Sequence, residues 1–109
     1  MLKLTESNFD ESIKQKAIVL ISAAWCKPCS SMYPVMEKLS STLAGHLIIG
    51  KVDVDESPDL AVRYNIRSVP TIILFEDGKI SKKIVGTRSE SQLITEFELA
   101  RAEKPSDEQ

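Results

Sequence analysis

The stretch Ala24-Trp25-Cys26-Lys27-Pro28-Cys29 holds the only two cysteines and the only tryptophan of the chain. The apolar run Ala17-Ile18-Val19-Leu20-Ile21 precedes it, and a helical pattern follows it. The two intervening residues place both thiols on one helical turn, where they can close a small ring. Cys26 falls at or just before the helix start, where unpaired N–H groups and the helix dipole favour a thiolate. Cys29 lies one turn deeper and is expected to be more covered. One sulfur is therefore placed to attack and the other to resolve, and the pair reads as a dithiol that cycles with a disulfide. An exposed helix-start position for Cys26 and the flanking Trp25 argue against two buried, inert thiols.

The rest of the chain alternates strand and helix signals. Met1 to Leu4 suits a short edge strand. Asn8 with Glu11 three residues on matches a capping box, and Phe9 with Ile13 forms an apolar i,i+4 pair, so a first helix is expected near residues 8–15. Ala17 to Ile21 is apolar throughout, the pattern of a strand covered on both faces. A helix is expected from Lys27 to about Ala44. Pro28 suits its first turn, and Met32, Val35, Met36, Leu39 and Leu43 recur at helical spacing. Pro34 should kink it, and Gly45 reads as its stop. Leu47 to Val54 is the next strand. Ser57-Pro58-Asp59 then caps a short helix that Asn65 can end. Thr71 to Phe75 is a further buried strand. Asp77-Gly78 signals a hairpin, so Ile80 to Val85 returns antiparallel, with Lys82 and Lys83 suited to an exposed edge. Ser89 with Gln92 forms a second capping box ahead of Leu93, Ile94 and Phe97.

The length of 109 residues suits one domain around one core, expected over residues 1–102, with 103–109 as a flexible C-terminal tail. Hydrophobic residues at 42% and charged residues at 28% fit a globular, soluble chain and not a disordered one. A net charge of −2 argues against a nucleic-acid surface or a polybasic membrane patch. No apolar stretch is long enough to span a bilayer. The polar N-terminus lacks the apolar segment of a signal peptide, so a cytoplasmic location is expected. There a lone C-x-x-C is more often catalytic or metal-binding than structural. A structural zinc needs four ligands, and Cys26, Cys29 and His46 do not suffice. No metal is expected in a single chain; four thiolates shared between two chains remain the metal alternative. His46 itself reads as a solvated loop residue.

A strand, then W-C-x-P-C, then a helix resembles the thioredoxin family. Lys51-Val52-Asp53-Val54-Asp55, Ser68-Val69-Pro70-Thr71 and Gly86 follow in the family's order, so the resemblance reaches to about Arg101. It implies an α/β thioredoxin fold, a central mixed sheet of four or five strands flanked by four helices. It also implies reduction of protein disulfides, with Cys26 as nucleophile and Cys29 as resolving thiol. Trp25, Val69, Pro70 and Gly86 would form the substrate rim. Trp25, Lys51 and Pro70 would also support the dithiol; from the residues themselves, Pro28 restricts the turn between the cysteines and Lys27 places a cation beside them. Val69-Pro70 resembles the family's cis-proline loop, although an X–Pro bond is cis in only about one case in twenty. The expected partners are disulfide-containing protein substrates and a thioredoxin reductase, a flavoprotein using NADPH. The chain itself shows no flavin or nucleotide motif, and no cofactor, nucleic acid or membrane partner is expected. A monomer is expected.

Two positions depart from the family. A leucine, Leu20, stands six residues before the first cysteine, where a buried Asp is usual, and Ser22 replaces a common aromatic. Lys51 thereby loses its usual neighbour and should either reach solvent or lean towards a thiolate. Less negative charge near the sulfurs makes both thiolates easier to form and the couple more oxidising. Loss of the proton acceptor could slow resolution. Lys27 stands where a glycine is usual. These departures keep a disulfide oxidase or isomerase as the alternative activity, and a non-catalytic binding module as the alternative of another class. A glutaredoxin-like reading fits the tryptophan-flanked dithiol less well.

Overall fold

Alternation of apolar side chains along the strands organises the molecule into three layers. The computed structural model describes residues 1–43 and 47–99. Its elements run β1 (Leu2–Lys3), α1 (Phe9–Ser12), β2 (Ala17–Ser22), α2 (Lys27–Thr42), β3 (Ile48–Asp53), α3 (Pro58–Arg63), β4 (Thr71–Glu76), β5 (Lys79–Val85) and α4 (Glu90–Glu96). The strands form one sheet in the order β1-β3-β2-β4-β5. β1 and β2 run parallel to β3, while β4 is antiparallel to both β2 and β5. The expectation of a mixed sheet with four helices is met. Gly45, His46 and the expected tail 103–109, with the domain boundary at 102, lie outside the described residues.

β2 is the central strand and every one of its residues is buried. Because side chains alternate, each residue goes to one of two cores. Ile18 and Leu20 join Met32, Met36 and Leu39 of α2, with Leu93 and Phe97 at α4. Val19 and Ile21 face the other way, into a core with Phe9 and Leu60. Ile72 and Leu74 of β4 follow the first set, Ile73 and Phe75 the second. In the second core, Phe75 stands edge-on to Phe9 and Tyr64, with ring centroids 5.5 and 5.2 Å away. Burying each large apolar side chain of this kind contributes about 1.5–3 kcal/mol.

Local signals were met unevenly. Ser89 and Gln92 form the reciprocal capping box at α4. Asp77 and Gly78 both take positive φ, 56° and 81°, as a tight hairpin requires. Asn65 ends α3 at φ 54°. Asn8 departs from expectation: it precedes α1 but its side chain caps nothing there. Its Oδ1 accepts instead from the Thr5 N–H at 2.8 Å, closing the turn that leaves β1. α1 is correspondingly short. Ser57 likewise precedes α3 without a side-chain cap and is buried. α2 carries Pro34 on its exposed side.

Gly50 lies beside Leu2 where β1 pairs with β3. A Cβ there would lie 2.8 and 2.9 Å from Leu4 Cδ1 and Cγ and 3.1 Å from the Leu2 carbonyl oxygen. Leu4 is buried and cannot swing away. Gly50→Ala is therefore expected to destabilise the fold by about 1–3 kcal/mol. Thermal unfolding checks this, with a drop in Tm of about 4–8 °C for each kcal/mol in a domain of this size.

Candidate active site

The β2–β4 pairing places Ile21 opposite Thr71. The chain leaving β2 and the chain entering β4 therefore meet at one end of the sheet. Two further contacts fix neighbours there. The Val54 N–H donates to the Ser22 carbonyl at 2.9 Å, and the Gly86 N–H donates to the Pro70 carbonyl at 2.9 Å. Segments 23–29, 54–55, 66–70 and 86 thus converge, though they are distant in sequence.

Cys26 is the N-cap of α2, with φ −90° and ψ 110°. Its N–H donates to the Ala23 carbonyl at 3.1 Å. Its Sγ accepts the Cys29 N–H at 3.2 Å, one of the donors a helix start leaves free. Cys26 and Cys29 form a disulfide with Cα atoms 5.3 Å apart. The expectation of an exposed Cys26 is corrected: it is only 5% accessible, against 0% for Cys29. The order of exposure holds, and Cys26 is the member of the pair that solvent reaches. Ala23, Val54 and Val69 pack around the pair. Lys27 and Pro28 occupy the first turn of α2, both exposed.

Trp25 is 69% exposed, an unusual position for so large an apolar ring. Its Nε1–H donates to Asp55 Oδ2 at 2.9 Å, which holds the indole in place. Beside it runs a groove of about 450 Å³ walled by Trp25, Val54, Ile66, Arg67, Ser68 and Val69. The Val69–Pro70 peptide is cis. Among the described residues, neither the N–H nor the C=O of Val69 is hydrogen-bonded. Pro70 is buried beside Gly86, whose φ is 104°. Gly86 borders Pro70 but is not part of the groove wall.

Lys51 lies elsewhere. Leu20 is its partner across β2–β3, fully buried in the α2-side core. The Lys51 ammonium sits over the Tyr33 ring, 5.1 Å from its centroid. It lines a pocket of about 100 Å³ with Lys3, Ser22, Tyr33, Asp53 and Glu56. The Tyr33 and Ser22 hydroxyls are 3.4 Å apart. Glu56 pairs with Lys3 at 2.8 Å, and that hydrogen bond, with the charge behind it, raises the Lys3 pKa. Of the two expectations for Lys51, the structure favours the outward one: the ring face and the polar pocket take its charge. Asp55, Arg67 and Tyr33 were not singled out in the sequence. Tyr33 could have been, since it stands four residues after Cys29 on the same helical face. Asp55 and Arg67 reach the site only through the fold.

Among the described residues, no group of three or more His, Cys, Asp or Glu side chains could hold a metal ion. No helix there is long and apolar enough to cross a membrane.

Comparison with known proteins agrees with this geometry. The family model for thioredoxin matches residues 1–98. Thioredoxin of Staphylococcus haemolyticus is 41% identical over 95 residues, covering 85% of this chain and 90% of that protein. Thioredoxin of Staphylococcus saprophyticus is 39% identical over 100 residues, covering 90% and 95%. Among solved structures, a single-site mutant of thioredoxin from Halobacterium salinarum superposes with a TM-score of 0.80 at 32% identity, covering 89% of this chain and 87% of that one. With the fold, the bridged C-x-x-C pair and these relatives together, the chain belongs to the thioredoxin family and is a thiol–disulfide oxidoreductase that reduces protein disulfides.

Proposed function

We propose that Cys26 is the attacking thiol and Cys29 the resolving thiol. One observation carries this: of the two bonded cysteines, only Cys26 has accessible surface, and it sits on the N-terminus of α2. In the reduced chain the Cys26 thiolate attacks one sulfur of a substrate disulfide. A mixed disulfide forms and the first substrate thiolate leaves. The Cys29 thiolate then attacks Cys26, releasing the second substrate thiolate and leaving the Cys26–Cys29 bond. Two electrons pass to the substrate. A thioredoxin reductase is the proposed donor that restores the dithiol, and the chain works as a cytoplasmic monomer.

Substrate binds along the groove. Trp25, Val54 and Val69 offer apolar walls next to the sulfurs, and the free Val69 backbone pairs with an extended segment. Pro70 backs this segment, and Gly86 allows close approach beside it. Pro28 restricts the turn between the cysteines, and Lys27 adds positive charge to the same turn.

The assignment of roles is tested by trapping. Cys29→Ser should still attack and should accumulate the mixed disulfide, seen as a mass increase equal to the substrate partner. Cys26→Ser should neither attack nor turn over, and trapping through Cys29 instead would reverse the roles. An oxidase or isomerase is separated by the reduction potential: an oxidising couple favours it, and a reducing couple favours the reductase.

Asp55→Ala removes the hydrogen bond that holds Trp25. A bond of this kind contributes about 0.5–1.5 kcal/mol, so KM for a protein substrate should rise about two- to tenfold with kcat little changed. Steady-state kinetics would show the split.

Leu20→Asp tests how the missing carboxylate shapes the site. Burial at this position raises the pKa of the new acid above its unfolded value, with Lys51 offsetting part. Its proton is then held more tightly in the folded state. The destabilisation should be smallest in acid, below the unfolded pKa. It should grow as pH rises towards the folded pKa, by at most about 1.4 kcal/mol for each pH step of one, and then level off. Urea unfolding at pH 5 and pH 8 checks the sign. Alkylation rates against pH should show both thiols titrating higher than in the parent chain. Unchanged titrations would sink the electrostatic link between Leu20 and the sulfurs.

A further inference from the structure

The charges at the groove run against those of the whole chain. The chain has 14 Lys and Arg against 16 Asp and Glu, so an average patch of surface is slightly acidic. Half of the cations among the described residues are matched: Lys3 with Glu56, Lys14 with Glu11, Lys38 with Glu90, Arg63 with Asp10, Lys82 with Glu98 and Arg88 with Glu96. Two cations at the active end of the sheet are not. Arg67 is part of the groove wall. Its Nε–H donates to Asn65 Oδ1 at 3.3 Å, and among the described residues its two terminal nitrogens donate to nothing. Lys27 lies inside the ring that the disulfide closes, is exposed, and makes no ion pair or hydrogen bond among the described residues. Other cations without an ion pair are placed differently. Lys83 donates to the Tyr64 carbonyl at 3.5 Å. Lys16 and Lys79 stand at the far end of the sheet, where β2 and β5 begin.

The acids nearest this end bond to other groups and, among the described residues, make no hydrogen bond or ion pair with Arg67 or Lys27, though Asp53 and Asp55 keep their charge. Asp55 accepts the Trp25 indole N–H. Asp53 Oδ1 accepts the Asp55 N–H at 2.8 Å and the Glu56 N–H at 3.3 Å. Glu56 is held by Lys3. The groove therefore combines apolar walls with the free guanidinium N–H donors of Arg67, and the exposed Lys27 stands in the neighbouring turn between the two cysteines.

Building on the reductase reading, we infer that Lys27 and Arg67 select substrates in which an Asp or Glu flanks the attacked disulfide on an extended segment. The apolar walls take the segment's side chains and the free Val69 backbone takes its main chain. The two unmatched cations then meet its carboxylate. Lys27 carries this selection in the turn between the cysteines, where a glycine would carry none. Each contact is solvent-exposed, so its effect is modest and salt-dependent. It acts on encounter as well as on the bound state.

Three disulfide-bridged peptides test this, identical except for Glu, Gln or Lys beside the half-cystine. Each is mixed with the fully reduced chain. The second-order rate of Cys26–Cys29 oxidation is read by acid quench and the mass shift of alkylated thiols. No reductase is needed. The same rates are measured for the double variant Lys27→Gln, Arg67→Gln. Changing Lys27 also alters thiol reactivity, but that change cancels in the ratio of Glu-peptide rate to Lys-peptide rate. At about 10 mM ionic strength, where the screening length is about 30 Å, the ratio for the parent chain should exceed that of the double variant about four- to twentyfold. At about 1 M salt, where screening falls to about 3 Å, the two ratios should converge. Equal ratios in the two proteins at low salt overturn the inference while leaving the reductase reading intact. A difference that persists at high salt overturns its electrostatic basis. Failure of every peptide to oxidise the chain overturns the reductase reading and the inference with it.

Discussion

The antiparallel pairing of β2 with β4 is the contact on which the site depends. Ile21 opposite Thr71 sets the register, and everything chemical hangs just beyond that pair. Cys26 follows Ile21 by five residues, and Pro70 immediately precedes Thr71. A slip of one residue would turn Ile18 and Leu20 into the core now holding Val19 and Ile21, and would displace the proline from the sulfurs. Both strands are buried on both faces, so such a slip is costly and the register is held. The placement of the active end is thus set by apolar packing in the middle of the sheet.

Helix physics supplies the second element of the site. Cys26 sits where α2 exposes N–H groups, and one of these, from Cys29, already points at its sulfur. The same arrangement that satisfies a helix start favours negative charge on that sulfur once the bond is reduced. Cys29 gains nothing comparable in access, being fully buried in the cluster with Ala23, Val54 and Val69. The proposed division of labour between two chemically identical side chains rests on one helical turn of difference in depth.

The departures from the family show how one substitution is absorbed by several residues. With Leu20 in place of an acid, the α2-side core is continuous from Ile18 to Met36. Lys51, left without a carboxylate in the next strand, lies on the face of Tyr33 and shares a pocket with Asp53 and Glu56. Cation–ring contact and the polar pocket are what surround that charge in this chain. The Tyr33 hydroxyl reaches Ser22, at the position where an aromatic is common.

Much of the fold was readable from the chain. The all-apolar β2, the Asp77-Gly78 turn, the Ser89–Gln92 box and the helical spacing after Cys29 each state their element locally, because strand burial, positive φ and capping are properties of a few adjacent residues. The two cysteines and their relative depths were likewise readable from their spacing at a helix start. Asn8 and Ser57 were misread as side-chain caps because a side-chain oxygen takes whichever N–H the tertiary fold brings closest, and for Asn8 that was Thr5. The Asp55–Trp25 bond, Arg67 in the groove wall and the pairing of Lys51 with the Tyr33 ring left no local trace, although Lys51 itself stood out. Asp55 stands 30 residues from the indole it holds, and only sheet register and loop convergence bring such residues together. The chemistry of the dithiol and the elements that carry it are thus written in the order of the amino acids. What surrounds the sulfurs is a property of the folded chain alone, since contact between distant residues is set by packing and not by any pattern a short stretch can hold.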